Sequence, residues 1–95
     1  MGKNYNYNYA FVFYDVGEKR VQKVFKVCKK YFLHHQNSVF RGNITPSNLI
    51  YFKKEVSSVI KPGVDFITII KLLSKASFDE ETIGTDSKDV TSLFL

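Results

Sequence analysis

The chain has 95 residues, of which 44% are hydrophobic and 24% are charged, and its formal net charge is +5. This length predicts a single domain over residues 1–95 with a modest core, which excludes a multidomain enzyme. Because Cys28 is the only cysteine and no run of about 18 apolar residues occurs, the composition excludes a disulfide-built scaffold and a membrane-spanning protein, and favours the reducing cytoplasm.

A first strand is predicted over residues 5–16, where aromatic residues and valine dominate. Its centre, residues 9–14, is apolar on both faces and is therefore expected in the middle of a sheet. Strand alternation places Asp15 in phase with Phe11 and Phe13, on a face expected to meet the interior or an interface. Asp15 has two interpretations at this point: a functional carboxylate, or an N-cap for the following helix.

A first helix is predicted over residues 18–34, which have an apolar stripe that includes Phe25 and Cys28 and a basic opposite side. Cys28 is therefore expected to be a core residue rather than a nucleophile. His34 and His35 are expected to cap the end of this helix, where cationic side chains suit the helix dipole. One cysteine and two adjacent histidines do not make a zinc site, because successive side chains diverge.

A second strand and a second helix follow. Residues 37–44 predict either one strand or a bent pair, since a ferredoxin-like plait ordinarily has one more strand at this point. Thr45 as N-cap and Pro46 as first helical residue predict the start of the helix, and Pro62 is expected to end it.

The C-terminal part contains a third predicted strand over residues 65–73 and a short fourth strand at Phe78 and residues 83–84. The resulting order, β-α-β-α-β-β, predicts an α+β ferredoxin-like plait, in which two helices cover one face of an antiparallel sheet. The apolar end of the acidic segment 79–95 is expected to add a strand to a partner protomer.

Charge is distributed unevenly along the chain. Residues 1–78 hold thirteen basic and four acidic residues, a net +9, whereas residues 79–95 hold one lysine and five acidic residues, a net −4. This pattern predicts a polyanionic partner such as nucleic acid, with an ordinary solvated surface as the alternative. The candidate phosphate contacts are Lys19, Arg20, Lys23, Arg41, Lys53 and Lys54. Four aromatic residues are candidates for stacking on unpaired bases, with a place in the core or at a hydrogen-bonded edge as the alternatives: Tyr14, Tyr31, Phe40 and Tyr51.

Four segments together resemble the CRISPR-associated Cas2 family, the small partners of the Cas1 spacer integrase: FVFYDV, KRVQKVFKVCKKYF, QNSVFRGNITPSNL and DFITIIKL. The resemblance covers about residues 9–73, which are expected to form the core of the domain, and it continues more weakly through residues 79–95. It implies a ferredoxin-like fold and a symmetric homodimer.

The resemblance also implies a site. The family has an active-site aspartate at the end of the first strand, and this position matches Asp15, which follows Tyr14. In the family the two copies of this aspartate face each other across the dimer axis and hold one Mg²⁺. Arg20, Ser38 and Phe40 match positions near that site.

Two functions are expected from this resemblance. Family members are described as metal-dependent endonucleases acting on RNA or DNA, and as non-catalytic bridges that bind duplex DNA between Cas1 integrase dimers. One carboxylate per chain and no well-placed general base make a weak nuclease, so the scaffold is the expected main role. The alternatives are an endoribonuclease or DNase as the main role, with single-stranded RNA as one substrate, or a plain ferredoxin-like nucleic-acid-binding module.

Overall fold

The computed structural model describes residues 7–84. Their elements in chain order are β1 Tyr9–Asp15, α1 Val21–Tyr31, β2 Leu33–Gln36, β3 Val39–Asn43, α2 Pro46–Ser57, β4 Phe66–Leu72 and the 3₁₀ turn Lys75–Ser77. The strands form one antiparallel sheet in the order β2-β3-β1-β4, so β1 is internal, as its two apolar faces predicted. The β-α-β-β-α-β order confirms the α+β ferredoxin-like class.

The hydrophobic core lies between the two helices and one face of the sheet. Val12 and Tyr14 of β1 point into it, together with Phe40 of β3 and Phe52 of α2. Val12, Phe40 and Phe52 are fully buried, and burial of side chains of this size contributes about 1.5–3 kcal/mol each. Cys28 is fully buried in the same cluster, which confirms that it is a core residue.

Helix α2 begins as predicted. Thr45 is its N-cap, and the Thr45 Oγ1 accepts a hydrogen bond from the backbone N–H of Asn48 at 3.1 Å, with Pro46 as the first helical residue. The helix ends at Ser57, so the chain leaves it before reaching Pro62. Over residues 7–84, neither helix has the length and apolar character needed to cross a membrane.

A hairpin of β2 and β3 stands where one strand or a bent pair was predicted over residues 37–44. Asn37 has a φ of 45° and forms the two-residue turn with Ser38, because asparagine tolerates this left-handed conformation better than most residues. Strand β2 takes its residues from the end of the predicted helix. His34 and His35 therefore lie in a strand, and their predicted role as helix caps is wrong.

The fourth strand predicted at Phe78 is wrong, because the described residues 78–84 form no strand. Phe78 instead packs on the sheet, with its ring centroid 5.4 Å from that of Tyr9 and 5.1 Å from that of Phe11. Contact with two rings stabilises this packed position of Phe78. The strand expected to be exchanged between protomers falls in residues 85–95, outside the described part of the chain.

The sheet face opposite the helices, called the open face below, carries large apolar side chains. Phe13 is 39% exposed, Phe66 is 58% exposed and Ile70 is 46% exposed. Antiparallel pairing places Asp15 opposite Phe66 and Phe13 opposite Thr68 on this face. Phe13 therefore points away from the core. Of the two environments expected for its face, the interior and an interface, only the interface remains.

Candidate functional site

Asp15, the last residue of β1, borders an open cavity of about 380 Å³ between that strand, α1 and the β2–β3 turn. The cavity is lined by Tyr14, Asp15, Val16, Val21, Phe25, Asn37 and Ser38. The backbone N–H of Tyr14 donates to the carbonyl of Ser38 at 3.2 Å, which ties the turn to the end of the strand. The fold thus brings together three residues predicted from the sequence, namely Tyr14, Asp15 and Ser38.

Phe40, the fourth residue predicted near the site, supports the cavity from within the core. Its ring stacks on Tyr14 with centroids 6.2 Å apart, and it meets the ring of Phe25 edge to face at 5.2 Å. Aromatic pairs of this kind contribute about 0.5–1.5 kcal/mol each and fix the cavity wall. Burial raises the pKa of Tyr14, so its hydroxyl stays protonated at neutral pH.

The N-cap interpretation of Asp15 is wrong. Helix α1 begins at Val21, and its N-cap is Arg20, whose side chain makes no capping hydrogen bond. A turn closed by the Arg20 N–H and the Gly17 carbonyl, 2.9 Å apart, separates Asp15 from the helix. The Asp15 side chain is exposed and forms no hydrogen bond or ion pair within residues 7–84, so its carboxylate is available to a ligand.

Arg20, a predicted phosphate contact, forms an ion pair with Asp65. The Nε and Nη2 of Arg20 both donate to the Asp65 carboxylate, Nη2 at 2.9 Å, and the Arg20 side chain is only 24% exposed. The backbone N–H groups of Gly17 and Lys61 donate to the same carboxylate, each at 2.8 Å. The guanidinium, helped by these two amides, holds the pKa of Asp65 well below its usual range.

This Arg20–Asp65 clamp is the feature that sequence reasoning missed. It joins the loop after β1 to the loop before β4, and so holds the chain that directly follows Asp15. Gly17 leaves room for it, because a Cβ at this position would collide with the Arg20 guanidinium and displace it from Asp65. The available signal was Asp65 itself, a lone acid before an apolar strand, but its partner could not be named without the fold.

The other predicted phosphate contacts lie on two separate surfaces. Four are exposed lysines of α1, α2 and the turn before α1, namely Lys19, Lys23, Lys53 and Lys54. Arg41 is opposite Phe11 in the sheet and therefore on the open face, where it forms an ion pair with Glu80. The fold does not bring Arg41 together with the lysines, and its contact with nucleic acid stays a prediction.

The cavity contains oxygen groups of the kind that Mg²⁺ prefers, but few of them. Of the described residues, Asp15 is the only acidic one in the lining, beside the hydroxyl of Ser38 and the amide of Asn37. Within residues 7–84, no three His, Cys, Asp or Glu side chains cluster into a metal site. Because Mg²⁺ is commonly held by one or two carboxylates and several waters, these residues fit half of a site that a second Asp15 would complete.

Fold and site together define a small ferredoxin-like α+β domain with a single acidic group at the end of its first strand. Comparison with known proteins identifies the family. The family model described as "CRISPR associated protein Cas2" matches residues 8–80, and the chain belongs to this family, which gives it a CRISPR-associated role.

Individual relatives agree over nearly the whole chain. The CRISPR-associated endoribonuclease Cas2 3 of Thermodesulfovibrio yellowstonii is 39% identical over 87 residues, which cover 92% of this chain and 98% of the relative. The CRISPR-associated endoribonuclease Cas2 of Thermotoga maritima is 35% identical over 86 residues, covering 90% and 99%. A Cas2 crystal structure at 32% identity superposes with a TM-score of 0.78 over 85% of this chain and 91% of its own.

Proposed function

We propose that this protein is a DNA-binding dimeric scaffold that works with the Cas1 integrase in spacer integration, with an Mg²⁺-dependent endonuclease activity on RNA or DNA. The observation that carries the proposal is the composition of the cavity: among residues 7–84, Asp15 is the only acidic residue of the lining, and no histidine or lysine belongs to it. Phosphodiester hydrolysis is normally assisted by a positioned base or by further metal ligands. One carboxylate per chain therefore favours binding as the main role and slow hydrolysis as a secondary one.

A homodimer would cover the open face and complete the acidic site. Phe13 and Phe66 are exposed on that face close to Asp15, which is itself paired with Phe66. A second copy packed there about a two-fold axis would remove these side chains from water and bring the two Asp15 carboxylates towards the axis. Bound Mg²⁺ would then polarise a phosphate and lower the pKa of a coordinated water, while both Asp15 carboxylates hold it.

Deletion of residues 85–95 is expected to weaken this dimer. The segment ends in the apolar run Val90–Leu95, and the outer edge of β4 has no neighbouring strand within residues 7–84, so an added strand has a place to pair. We expect the dimer dissociation constant in a sedimentation series to rise roughly ten-fold or more. A control variant, Asp86→Asn with Asp89→Asn, removes charge but keeps the apolar end. An unchanged constant after the deletion would contradict strand exchange.

Duplex DNA binding is expected to be independent of sequence and steeply dependent on salt. Each phosphate that a lysine neutralises should contribute about 0.9 to the slope of log affinity against log salt concentration. The double variant Lys53→Gln with Lys54→Gln should lower that slope by roughly two if both lysines contact phosphates. Lys75→Gln, an exposed lysine after β4, is the matched control and should change it little. A flat salt response, or strong preference for one base sequence, is the result that contradicts this binding mode.

Two assays on the same preparation test the main role. Retention of Cas1 on the immobilised protein, together with duplex DNA binding and slow cleavage, supports the scaffold. Fast metal-dependent cleavage of RNA or DNA without Cas1 retention supports the endoribonuclease or DNase alternative. Nucleic-acid binding with neither cleavage nor Cas1 retention supports the plain binding module.

A further inference from the structure

Helix α1 supplies an apolar wall of the Asp15 cavity. Neither the scaffold role nor the nuclease role proposed above requires an apolar wall. Val21 is 37% exposed and Phe25 is half-buried, and both continue into an adjoining groove of about 290 Å³ that Gln22 and Lys26 also line. A metal site or a phosphate contact needs oxygen ligands and cations, not an open apolar wall. This wall therefore points to a ligand with a flat or apolar part.

Phe25 is held firmly in this wall. Its ring meets the rings of His34 and Phe40 edge to face, with centroids 5.0 Å and 5.2 Å away. These two aromatic neighbours restrict the motion of the ring, and its exposed part borders the cavity. A preformed aromatic wall binds a planar ligand with little loss of side-chain freedom.

The β2–β3 turn borders the same cavity with polar groups. Asn37 is exposed, and its backbone carbonyl accepts a hydrogen bond from the Nε2 of His34 at 2.9 Å, which fixes the turn next to Phe25. The carboxamide of asparagine both donates and accepts, and the Ser38 hydroxyl does the same. This combination suits the edge of a nucleobase, where donors and acceptors alternate.

Positive charge follows the apolar wall along α1. Lys26 lines the adjoining groove, and the Nζ of Lys29 lies 5.8 Å from the centroid of the Phe25 ring. An apolar peptide would gain nothing from these cations, whereas the phosphates on either side of a bound base would. The cavity volume of about 380 Å³ is within the roughly 300–1,000 Å³ of small-ligand sites.

We propose that the cavity beside Asp15 is a subsite for one unpaired nucleobase of a single-stranded nucleic acid, packed on Phe25 and contacted at its edge by Asn37. This subsite rests on the nucleic-acid binding proposed above, and it adds a preference for unpaired over paired nucleotides. A base paired inside a duplex cannot enter the cavity, so the subsite selects unpaired nucleotides, whereas the lysines bind the phosphates of either form.

The test uses a short single-stranded DNA with one fluorescent 2-aminopurine, its RNA counterpart, and the same DNA strand in a duplex. With the full chain at fixed salt, we expect 2-aminopurine emission from the single strands to rise on binding, because the probe leaves the neighbouring bases that quench it and the phenyl ring of Phe25 quenches it little. Phe25→Leu should weaken single-strand binding roughly five-fold or more. Asn37→Gly, which keeps the left-handed turn, should weaken it roughly three-fold or more. Duplex affinity should change less than about two-fold in both variants.

The matched control is Ile50→Ala, which truncates an apolar side chain that is 57% exposed on α2 and outside the cavity. It should leave single-strand binding unchanged. If Phe25→Leu lowers thermal stability because of its core contacts, the Asn37→Gly variant and the 2-aminopurine signal decide the question. Three results would each overturn the subsite. They are unchanged 2-aminopurine emission, an equal loss of affinity for single strand and duplex in the variants, and loss of probe binding as the protein dimerises. Salt-dependent duplex binding with no effect at Phe25 refutes the subsite alone, whereas absent duplex binding refutes the scaffold.

Discussion

Asp15→Asn is expected to abolish metal-dependent cleavage while leaving the dimer and DNA binding intact. Asparagine keeps the shape of the side chain but removes the charge that a divalent cation needs, so the cleavage rate should fall roughly 100-fold or more. In a dimer the substitution also removes the repulsion between two facing carboxylates, so thermal stability without metal should stay the same or rise. Cleavage of RNA and of DNA, measured with and without Mg²⁺, gives the result.

The structure sharpens this experiment, because Asp15 does not cap α1. A loss of cleavage cannot be attributed to a frayed helix, since the N-cap position belongs to Arg20. Asp79→Asn, an exposed acid after β4, is the control for charge alone. Full nuclease activity in carefully purified Asp15→Asn would show that the activity has another source or that the site is misassigned.

Asp65→Asn is expected to lower the melting temperature by roughly 10 °C or more at neutral pH. Four N–H donors, two from Arg20 and one each from Gly17 and Lys61, converge on the two oxygens of this buried carboxylate. The asparagine NH₂ group would face at least one of these donors and leave the guanidinium without its counter-charge. Thermal unfolding followed by circular dichroism measures the change, with Asp79→Asn again as control.

The same variant has a defined pH dependence. The pKa of Asp65 is lowered in the folded chain, so its contribution to stability is complete above its unfolded pKa of about 3.9 and is lost as the pH falls towards the folded value. The difference in melting temperature between the natural chain and Asp65→Asn should therefore be largest near pH 7 and narrow below about pH 4. A difference that grows as the pH falls would show that the clamp is not the source of stabilisation.

The elements that could be predicted from sequence are those whose signals are local and complete. Three features can be recognised without knowing what they contact in the fold: the apolar centre of β1, the Thr45 cap with Pro46, and the branched residues of β4. The β2–β3 hairpin cannot be told from a single strand by sequence, because an Asn-Ser turn is a weaker signal than Asn-Gly. Phe78 resembled a strand residue, yet its position depends on rings far away in sequence.

The candidate site shows the same division. Strand alternation singled out Asp15, the family resemblance added its role and the position of Ser38, and the fold brings both residues to one cavity. Arg20 was predicted as a phosphate contact near the site, and its role there stays a prediction. Its pairing with Asp65 spans 45 positions in the sequence, and no local pattern encodes it. Phe25 was assigned to the apolar stripe of a helix, and only the turn at Asn37 reveals that the ring also borders a cavity.

Because Cys28 is buried, its thiol can report how often the core between α1 and the sheet opens. The thiol is fully enclosed by the core, and burial raises the pKa of Cys28 to about 12, so almost no thiolate exists in the closed state. An alkylating reagent attacks the thiolate, and it therefore reacts only with molecules in which α1 has separated from the sheet. With a single cysteine in the chain, the rate of labelling measures how often that separation occurs, without any engineered probe.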